Sequence, residues 1–246
     1  MPVVAAALAP SAFWLLWFSR KAGRQGVRWQ ELGLLFVLGT LSAGLALVVE
    51  TGAAMAPGAS SASASGGPLQ LLSGVLEPVV VEEAAKLLVV VLFVLWLRRP
   101  RGSAEGALWA IAAALGFAAV ENFLFMSRGG LALVVLRGPV STLAHALFSA
   151  LWGSALGVAA ASGWRSAWAL LSGGFLAATM AHAVFNLIAV IAASSPNPLA
   201  ISFVEAPLLL ALYYACIRAW SRSAQMSSTS SMPTETLTSP SPIPTA

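Results

Sequence analysis

The sequence is poor in charge, and this decides the class of protein. Only 9% of its 246 residues are charged, whereas a soluble domain has about 25%. The chain is 59% hydrophobic, and several apolar runs of about 20 residues are long enough to cross a bilayer. We therefore predict an all-α, polytopic membrane helix bundle with about seven transmembrane helices in a lipid bilayer.

The chain also lacks the residues of several familiar sites. A single cysteine, Cys216, excludes an intrachain disulfide and a thiolate metal cluster. Neither the H-E-x-x-H helix of zincins nor the G-x-S-x-G elbow of serine hydrolases occurs. The net charge of +4 comes from basic residues near predicted helix ends, so we expect no nucleic-acid partner. The first apolar run has no basic n-region and is predicted to be a span, not a cleaved signal.

The apolar runs predict seven helices. Their expected bounds are Val3–Phe18, Glu31–Val49, Pro78–Leu97, Ala104–Met126, Val140–Ser162, Ser166–Ala193 and Leu199–Ile217. We expect Pro78 to separate the third helix from a short apolar lead-in, Leu69–Leu76. Residues 1–220 then form one transmembrane domain, and the Ser/Thr/Pro-rich residues 221–246 form a disordered tail.

Basic residues orient the predicted bundle. Only Arg128 and Arg137 fall on one side of it. Ten fall on the other side: Arg20, Lys21, Arg24, Arg28, Arg98, Arg99, Arg101, Arg165, Arg218 and Arg222. The positive-inside rule places the ten in the cytoplasm, with the amino terminus outside and the carboxyl terminus inside.

Polar side chains interrupt four of the apolar helices, where a charge costs from about 3 to over 10 kcal/mol. They are Glu82, Glu83 and Lys86 in the third helix, Glu121 in the fourth, His145 in the fifth, and His182 and Asn186 in the sixth. At about 1.5 Å per residue, Glu82 and Glu83 lie roughly 6–8 Å from the predicted outer helix end. The other groups fall at similar depth or between there and the middle, so we expect one polar layer.

The spacing of these residues leaves one question open. Lys86 is four residues from Glu82 and three from Glu83, so it can pair with either. The two glutamates project about 100° apart, so only one of them is expected to face a shared cavity. The sequence does not indicate which one.

Carboxylates with imidazoles suit the activation of water, and two routes are open. In the first, two histidines and one glutamate hold Zn²⁺ while another glutamate is the general base. In the second, which needs no metal, Glu82 or Glu83 polarises the water with help from His145, and His182 and Asn186 donate hydrogen bonds to an oxyanion. Two other classes of protein compete with a hydrolase: a proton- or cation-coupled transporter, and a membrane scaffold without enzymatic activity.

The polar motifs resemble one family. Glu82-Glu83-Ala-Ala-Lys86, Phe117-Ala-Ala-Val-Glu121-Asn122, His145 and His182-Ala-Val-Phe-Asn186 follow the order found in PrsW-family bacterial intramembrane proteases. That family is related to the CAAX prenyl endopeptidases and bacteriocin-processing enzymes. The CAAX branch usually has Arg and His where this chain has Lys86 and Glu121, which favours the PrsW branch.

This resemblance implies a function and a set of residues. The activity would be cleavage of a membrane-anchored protein, typically an anti-sigma factor, near the outer face of the bacterial cytoplasmic membrane. The functional positions would be Glu82, Glu83, Glu121, His145, His182 and Asn186. Lys86, Phe117 and Asn122 would support them. The family has been described both as metalloproteases and as glutamate-dependent enzymes; if Zn²⁺ is bound, the expected ligands are Glu121, His145 and His182.

Overall fold

The structure is a computed structural model that describes residues 2–22, 28–55, 67–129, 132–162, 167–193 and 205–218. The regular elements of these residues are all helices, as predicted. They are α1 (Pro2–Ala22), α2 (Trp29–Ala54), α3 (Pro68–Trp96), α4 (Ser103–Gly129), α5 (Ala132–Ser162), α6 (Ala167–Ala193) and α7 (205–218). The predicted tail, and most of the loop between α2 and α3, lie outside the described residues.

Five of the helices are long and apolar enough to cross a membrane: α1, α2, α4, α5 and α6. Helix α3 is longer than four of these five but carries Glu77, Glu82, Glu83 and Lys86. The protein is therefore a multi-pass membrane protein, and the most highly charged of its long helices is the one that carries the glutamate pair.

Helix α4 lies at the centre of the bundle. Every residue from Ala104 to Ala119 is buried, as expected for a helix that is apolar on all faces. Glycines allow its neighbours to approach closely. A Cβ on Gly39 of α2 would overlap the carbonyl oxygen of Ala113, and a Cβ on Gly106 would overlap that of Gly153 in α5. These close contacts determine which faces of α2 and α5 pack against α4.

Two helix starts differ from the prediction. Helix α3 begins at Pro68 and continues through Pro78, and α5 begins at Ala132 and continues through Pro139. The expected break at Pro78 is therefore wrong. Proline removes one backbone donor, but membrane helices tolerate this loss because neighbouring helices and local adjustments satisfy the freed carbonyl. As a result, Glu82 lies midway between Pro68 and Trp96, not close to a helix end.

An ion-pair cluster ties three helices together at the end of α3. The guanidinium of Arg98 lies 2.6 Å from a carboxylate oxygen of Glu31 in α2 and 2.6 Å from one of Glu105 in α4. The hydrogen bonds to Glu105 and Glu31 raise the pKa of Arg98 above its ordinary value. The same guanidinium lies over the ring of Trp109, 4.7 Å from its centroid. This cluster holds the start of α2, the end of α3 and the start of α4 close together.

Candidate active site

The polar groups of four helices meet in the interior of the bundle. Helix α3 contributes the two glutamates and Lys86, α4 contributes Glu121, α5 contributes His145 and α6 contributes His182. Glu83 and Lys86 have no exposed surface, and each histidine is at most 5% exposed. The structure thus brings together groups that lie up to 100 residues apart in the sequence.

Glu83 is fully occupied by hydrogen bonds. Its Oε1 accepts from Lys86 Nζ at 2.9 Å and lies 3.1 Å from His182 Nδ1. Its Oε2 accepts from Ser149 Oγ at 3.0 Å and from Trp152 Nε1 at 2.9 Å. A buried carboxylate has about four acceptor positions, and here all of them face donors from α3, α5 and α6. The carboxylate of Glu83 therefore joins three helices and has no remaining position for a substrate.

Glu82 is differently placed. The hydrogen bond that Glu82 receives within the described cluster comes from Lys86 Nζ, at 3.4 Å to Oε2. The same oxygen lies 3.8 Å from His182 Nε2. Its side chain retains 11% exposure, against 0% for Glu83, and it lines a cavity. Glu82 is thus the member of the pair that faces open space, which answers the question that the spacing left open.

Lys86 is the hub of the cluster. Besides its bonds to both glutamates, its ammonium lies 3.0 Å from His145 Nδ1 and 4.1 Å from the centroid of the Phe117 ring. An ammonium has only donors, so Nδ1 of His145 accepts. The other ring nitrogen then carries the proton and donates to Glu121 Oε2, 2.5 Å away. Both nitrogens of His145 are therefore engaged.

His182 has one engaged nitrogen and one that is nearly free. Its Nδ1 donates to Glu83 Oε1, which leaves Nε2 as the nitrogen with the lone pair, 3.8 Å from Glu82 Oε2. Its ring stacks on Phe148 at 5.1 Å and meets the His145 ring edge-on at 5.0 Å. These contacts restrain the imidazole in one orientation.

Three of the residues form a group that could hold a metal ion. Ligand atoms of Glu82, His145 and His182 all lie within 4.8 Å of one another. Two imidazoles and a carboxylate are the protein ligands of many catalytic zinc sites. The set we expected contained Glu121 where this group contains Glu82. In the structure Glu121 lies against His145 on the side away from Lys86, since it contacts Nε2 and not Nδ1.

The cavity beside Glu82 has a volume of about 170 Å³ and lies between α2, α3 and α4. Apolar side chains of α2 and α4 form most of its wall, and its polar groups are Glu50, Glu82, Glu121 and Arg128. Glu50 directly follows Val49, the predicted end of the second helix, a position that is typical of a carboxylate at a membrane interface. Instead its Oε1 is buried and has no hydrogen-bond partner among the described residues. No motif in the sequence indicated this residue.

Comparison with known protein families assigns the chain to one of them. The PrsW family intramembrane metalloprotease profile matches residues 27–214, which include every residue of the cluster. The chain belongs to the PrsW family. It is accordingly a peptidase of the membrane, and the resemblance seen in the sequence is confirmed. Neither a curated protein nor a solved structure was found to match it.

Three further PrsW-motif residues lie around the cluster. Phe117 packs beneath Lys86 and 5.9 Å from the His145 ring. Asn122 donates from Nδ2 to Thr142 Oγ1 at 2.9 Å, which links α4 to α5. Asn186 is half-buried one turn beyond His182, and it forms no hydrogen bond with the described polar groups of the cluster. The structure therefore joins five of the six predicted functional positions directly and leaves Asn186 beside them.

Proposed function

We propose that this PrsW-family enzyme hydrolyses a peptide bond of a membrane-anchored protein and that Glu82 brings the water into reaction. The observation that carries the proposal is the asymmetry of the glutamate pair. Glu83 has four hydrogen-bond partners and no exposure, whereas Glu82 has one long hydrogen bond and faces the cavity. A general base must reach the proton that it removes, and only Glu82 of the pair meets that requirement.

The remaining groups have supporting roles in this proposal. Glu83 and Lys86 position His182 and His145, and Glu121 holds the proton on Nε2 of His145. His182 Nε2, which carries the lone pair of the ring and lies close to Glu82 Oε2, is placed to accept a hydrogen bond from the same water. Asn186, one turn further along α6, offers an amide that can donate to the developing oxyanion.

The donor set also fits the metal that the family description implies. Glu82, His145 and His182 would hold Zn²⁺, with Glu121 as the nearby second carboxylate. When bound, the ion would supply Lewis-acid activation of water or of the carbonyl. Glu82 is central in both routes, either as the base or as a ligand. The two routes differ in whether Glu82 or Glu121 accepts the proton.

The proposed substrate and membrane rest on the family resemblance, and the proposed orientation rests on the charge pattern. We propose a single-span anti-sigma factor as the substrate class and the bacterial cytoplasmic membrane as the location. The excess of basic residues on one side of the predicted bundle supports an amino terminus outside and a carboxyl terminus in the cytoplasm. Residues 1–220 would form the protease domain and residues 221–246 its cytoplasmic tail.

Co-expression with single-span reporters tests the proposal. The reporters would carry the transmembrane and juxtamembrane segments of anti-sigma factors, and immunoblotting would follow their cleavage. We expect cleavage by the wild type and none by Glu82→Gln or His182→Ala. Glu77→Gln is the matched control, because Glu77 is an exposed carboxylate on the same helix, and it should retain activity. Cleavage that persists in Glu82→Gln would refute the role given to Glu82.

The two chemical routes are separated by metal analysis. Purified wild type would be compared with His145→Ala/His182→Ala for zinc content, and activity would be followed after chelation and zinc return. Stoichiometric zinc that is lost in the double variant, with activity that depends on zinc, selects the metal route. Full activity in metal-free wild type selects the glutamate route.

A further inference from the structure

Lys86 contacts two of the three residues that could hold a metal ion. Its ammonium is 3.4 Å from Glu82 Oε2 and 3.0 Å from His145 Nδ1. These two residues are members of the group whose ligand atoms lie within 4.8 Å of one another. The lysine side chain has no exposed surface, so its charge is not screened by water. Any divalent ion at this group would meet a fixed positive charge already in contact with its ligands.

We propose that Lys86 is an internal competitor of the metal ion and that it sets the zinc affinity of the site. This inference rests on the metal group in the proposed function but not on the identity of the substrate. Lys86 is a positioning residue here, because it acts on Glu82 and His145 and not on the substrate. Neither the charge pattern nor the motifs of the sequence assign this role to it.

The competition has two physical components. His145 Nδ1 has one lone pair, and the ammonium of Lys86 occupies it. Like charges at short range repel strongly inside a protein, where the effective dielectric constant is far below that of water. Both components weaken metal binding, and both disappear when the ammonium is replaced by an apolar group of similar length.

Glu83 provides a place for the displaced ammonium. Lys86 Nζ is closer to Glu83 Oε1, at 2.9 Å, than to Glu82 Oε2 or His145 Nδ1. A movement of Nζ away from Glu82 and His145 that keeps its 2.9 Å contact with Glu83 would release both groups and leave the buried charge paired. The lysine would thus hold the group together without metal and yield it when metal binds.

Zinc titration of purified protein tests this inference. Metal-free protein in detergent would be dialysed against buffers of defined free Zn²⁺, and bound zinc would be measured directly. We expect Lys86→Met to bind zinc about 10- to 100-fold more tightly than the wild type, the usual scale for residues that support metal ligands. Lys86→Arg, which keeps the charge, should not show this gain. Lys21→Met is the matched control, since Lys21 is the other lysine of the chain and is exposed.

A second variant protects the test against loss of folding. Lys86→Met leaves Glu83 without its ammonium partner, so Glu83→Gln/Lys86→Met removes both charges together and should show the same gain over Glu83→Gln. Adding His182→Ala to either variant should abolish the tight binding, which assigns it to this group. Unchanged, weaker or absent zinc binding in both Lys86→Met and Glu83→Gln/Lys86→Met would overturn the inference. A gain in zinc affinity in a protein that cleaves no substrate would support this inference and contradict the proposed function.

Discussion

The two adjacent glutamates should respond oppositely to the same isosteric substitution. In Glu83→Gln, the amide has one acceptor oxygen and one NH2 group in place of two acceptor oxygens. Whichever way the amide turns, its NH2 group faces donors: either Lys86 and His182, or Ser149 and Trp152. The Ser149 hydroxyl can rotate to accept, but the Trp152 indole has only a donor. The substitution therefore leaves at least one buried N–H group without an acceptor.

The larger part of the cost comes from charge. Lys86 stays buried and keeps one nearby carboxylate, Glu82, at 3.4 Å. Breaking a buried ion pair from one side typically costs about 3–5 kcal/mol, and an orphaned donor costs about 1–3 kcal/mol. Since the two costs are not additive, we expect Glu83→Gln to lower the free energy of unfolding by about 3–5 kcal/mol. For a chain of this size that corresponds to a loss of roughly 6–20 °C in melting temperature.

Glu82→Gln should leave stability almost unchanged. It weakens one long hydrogen bond, and Lys86 keeps its 2.9 Å ion pair with Glu83, so we expect a change within about 1 kcal/mol. The assay is the fraction of protein that remains monodisperse in size-exclusion chromatography after heating in detergent, with Glu77→Gln as the control for a surface carboxylate. A Glu83→Gln variant as stable as the wild type would contradict this prediction. So would a Glu82→Gln variant that is as unstable as Glu83→Gln.

Two further predictions concern the helix packing and the cavity. Gly39→Ala should destabilise the protein by about 1–3 kcal/mol, because the new methyl group would overlap the carbonyl oxygen of Ala113. Gly44→Ala is the control, since a Cβ at Gly44 would have nothing within 4 Å, and it should be neutral or stabilising by up to about 1 kcal/mol. Glu50→Gln should stabilise the protein by about 1 kcal/mol, since it neutralises a carboxylate with an unpartnered buried oxygen near Glu82. Thermal unfolding in detergent checks both, and equal melting temperatures for Gly39→Ala and Gly44→Ala, or a lower one for Glu50→Gln, would contradict them.

The class of fold was predictable because the membrane leaves few alternatives. A chain this apolar can satisfy its backbone in lipid only by forming helices or a closed barrel, and its long apolar runs indicate helices. The helix starts were less predictable. Proline usually ends a helix in water, but α3 and α5 continue through Pro78 and Pro139. The depth counted from these prolines was therefore too shallow, although the groups do meet.

The identity of the polar cluster was predictable, but the arrangement within it was not. The cost of burying charge indicated that Glu82, Glu83, Lys86 and the two histidines would find one another. Which glutamate faces the cavity depends on the rotation of α3 about its axis. Helix packing sets that rotation, and no local spacing encodes it. The hydrogen bonds from Ser149 and Trp152 to Glu83 could not be predicted for the same reason. A serine or a tryptophan in an apolar helix indicates no site until its partner is known.

The location of Glu50 was not predictable from its place in the sequence. Its place close to a predicted helix end suggested an interfacial carboxylate, but α2 continues to Ala54. The longer helix carries Glu50 alongside the cavity that Glu82 and Glu121 also line. The predicted end of this helix, Val49, is five residues short of the observed end, Ala54. This difference places Glu50 inside the helix and beside the candidate site.

The cluster separates stability from reactivity in a way that follows from its hydrogen bonds. Glu83 and His145 have their acceptors and donors occupied, so these groups contribute to holding α3, α4, α5 and α6 together. Glu82 and Nε2 of His182 are held only loosely, at 3.4 and 3.8 Å from their nearest polar partners. Atoms that bind water or a metal ion need a free lone pair, which Glu82 and Nε2 of His182 have in this structure, whereas Nδ1 of His145 would first have to lose its hydrogen bond from Lys86. The two least saturated groups should therefore be the reactive ones, and substitution there should abolish activity in a protein that still folds.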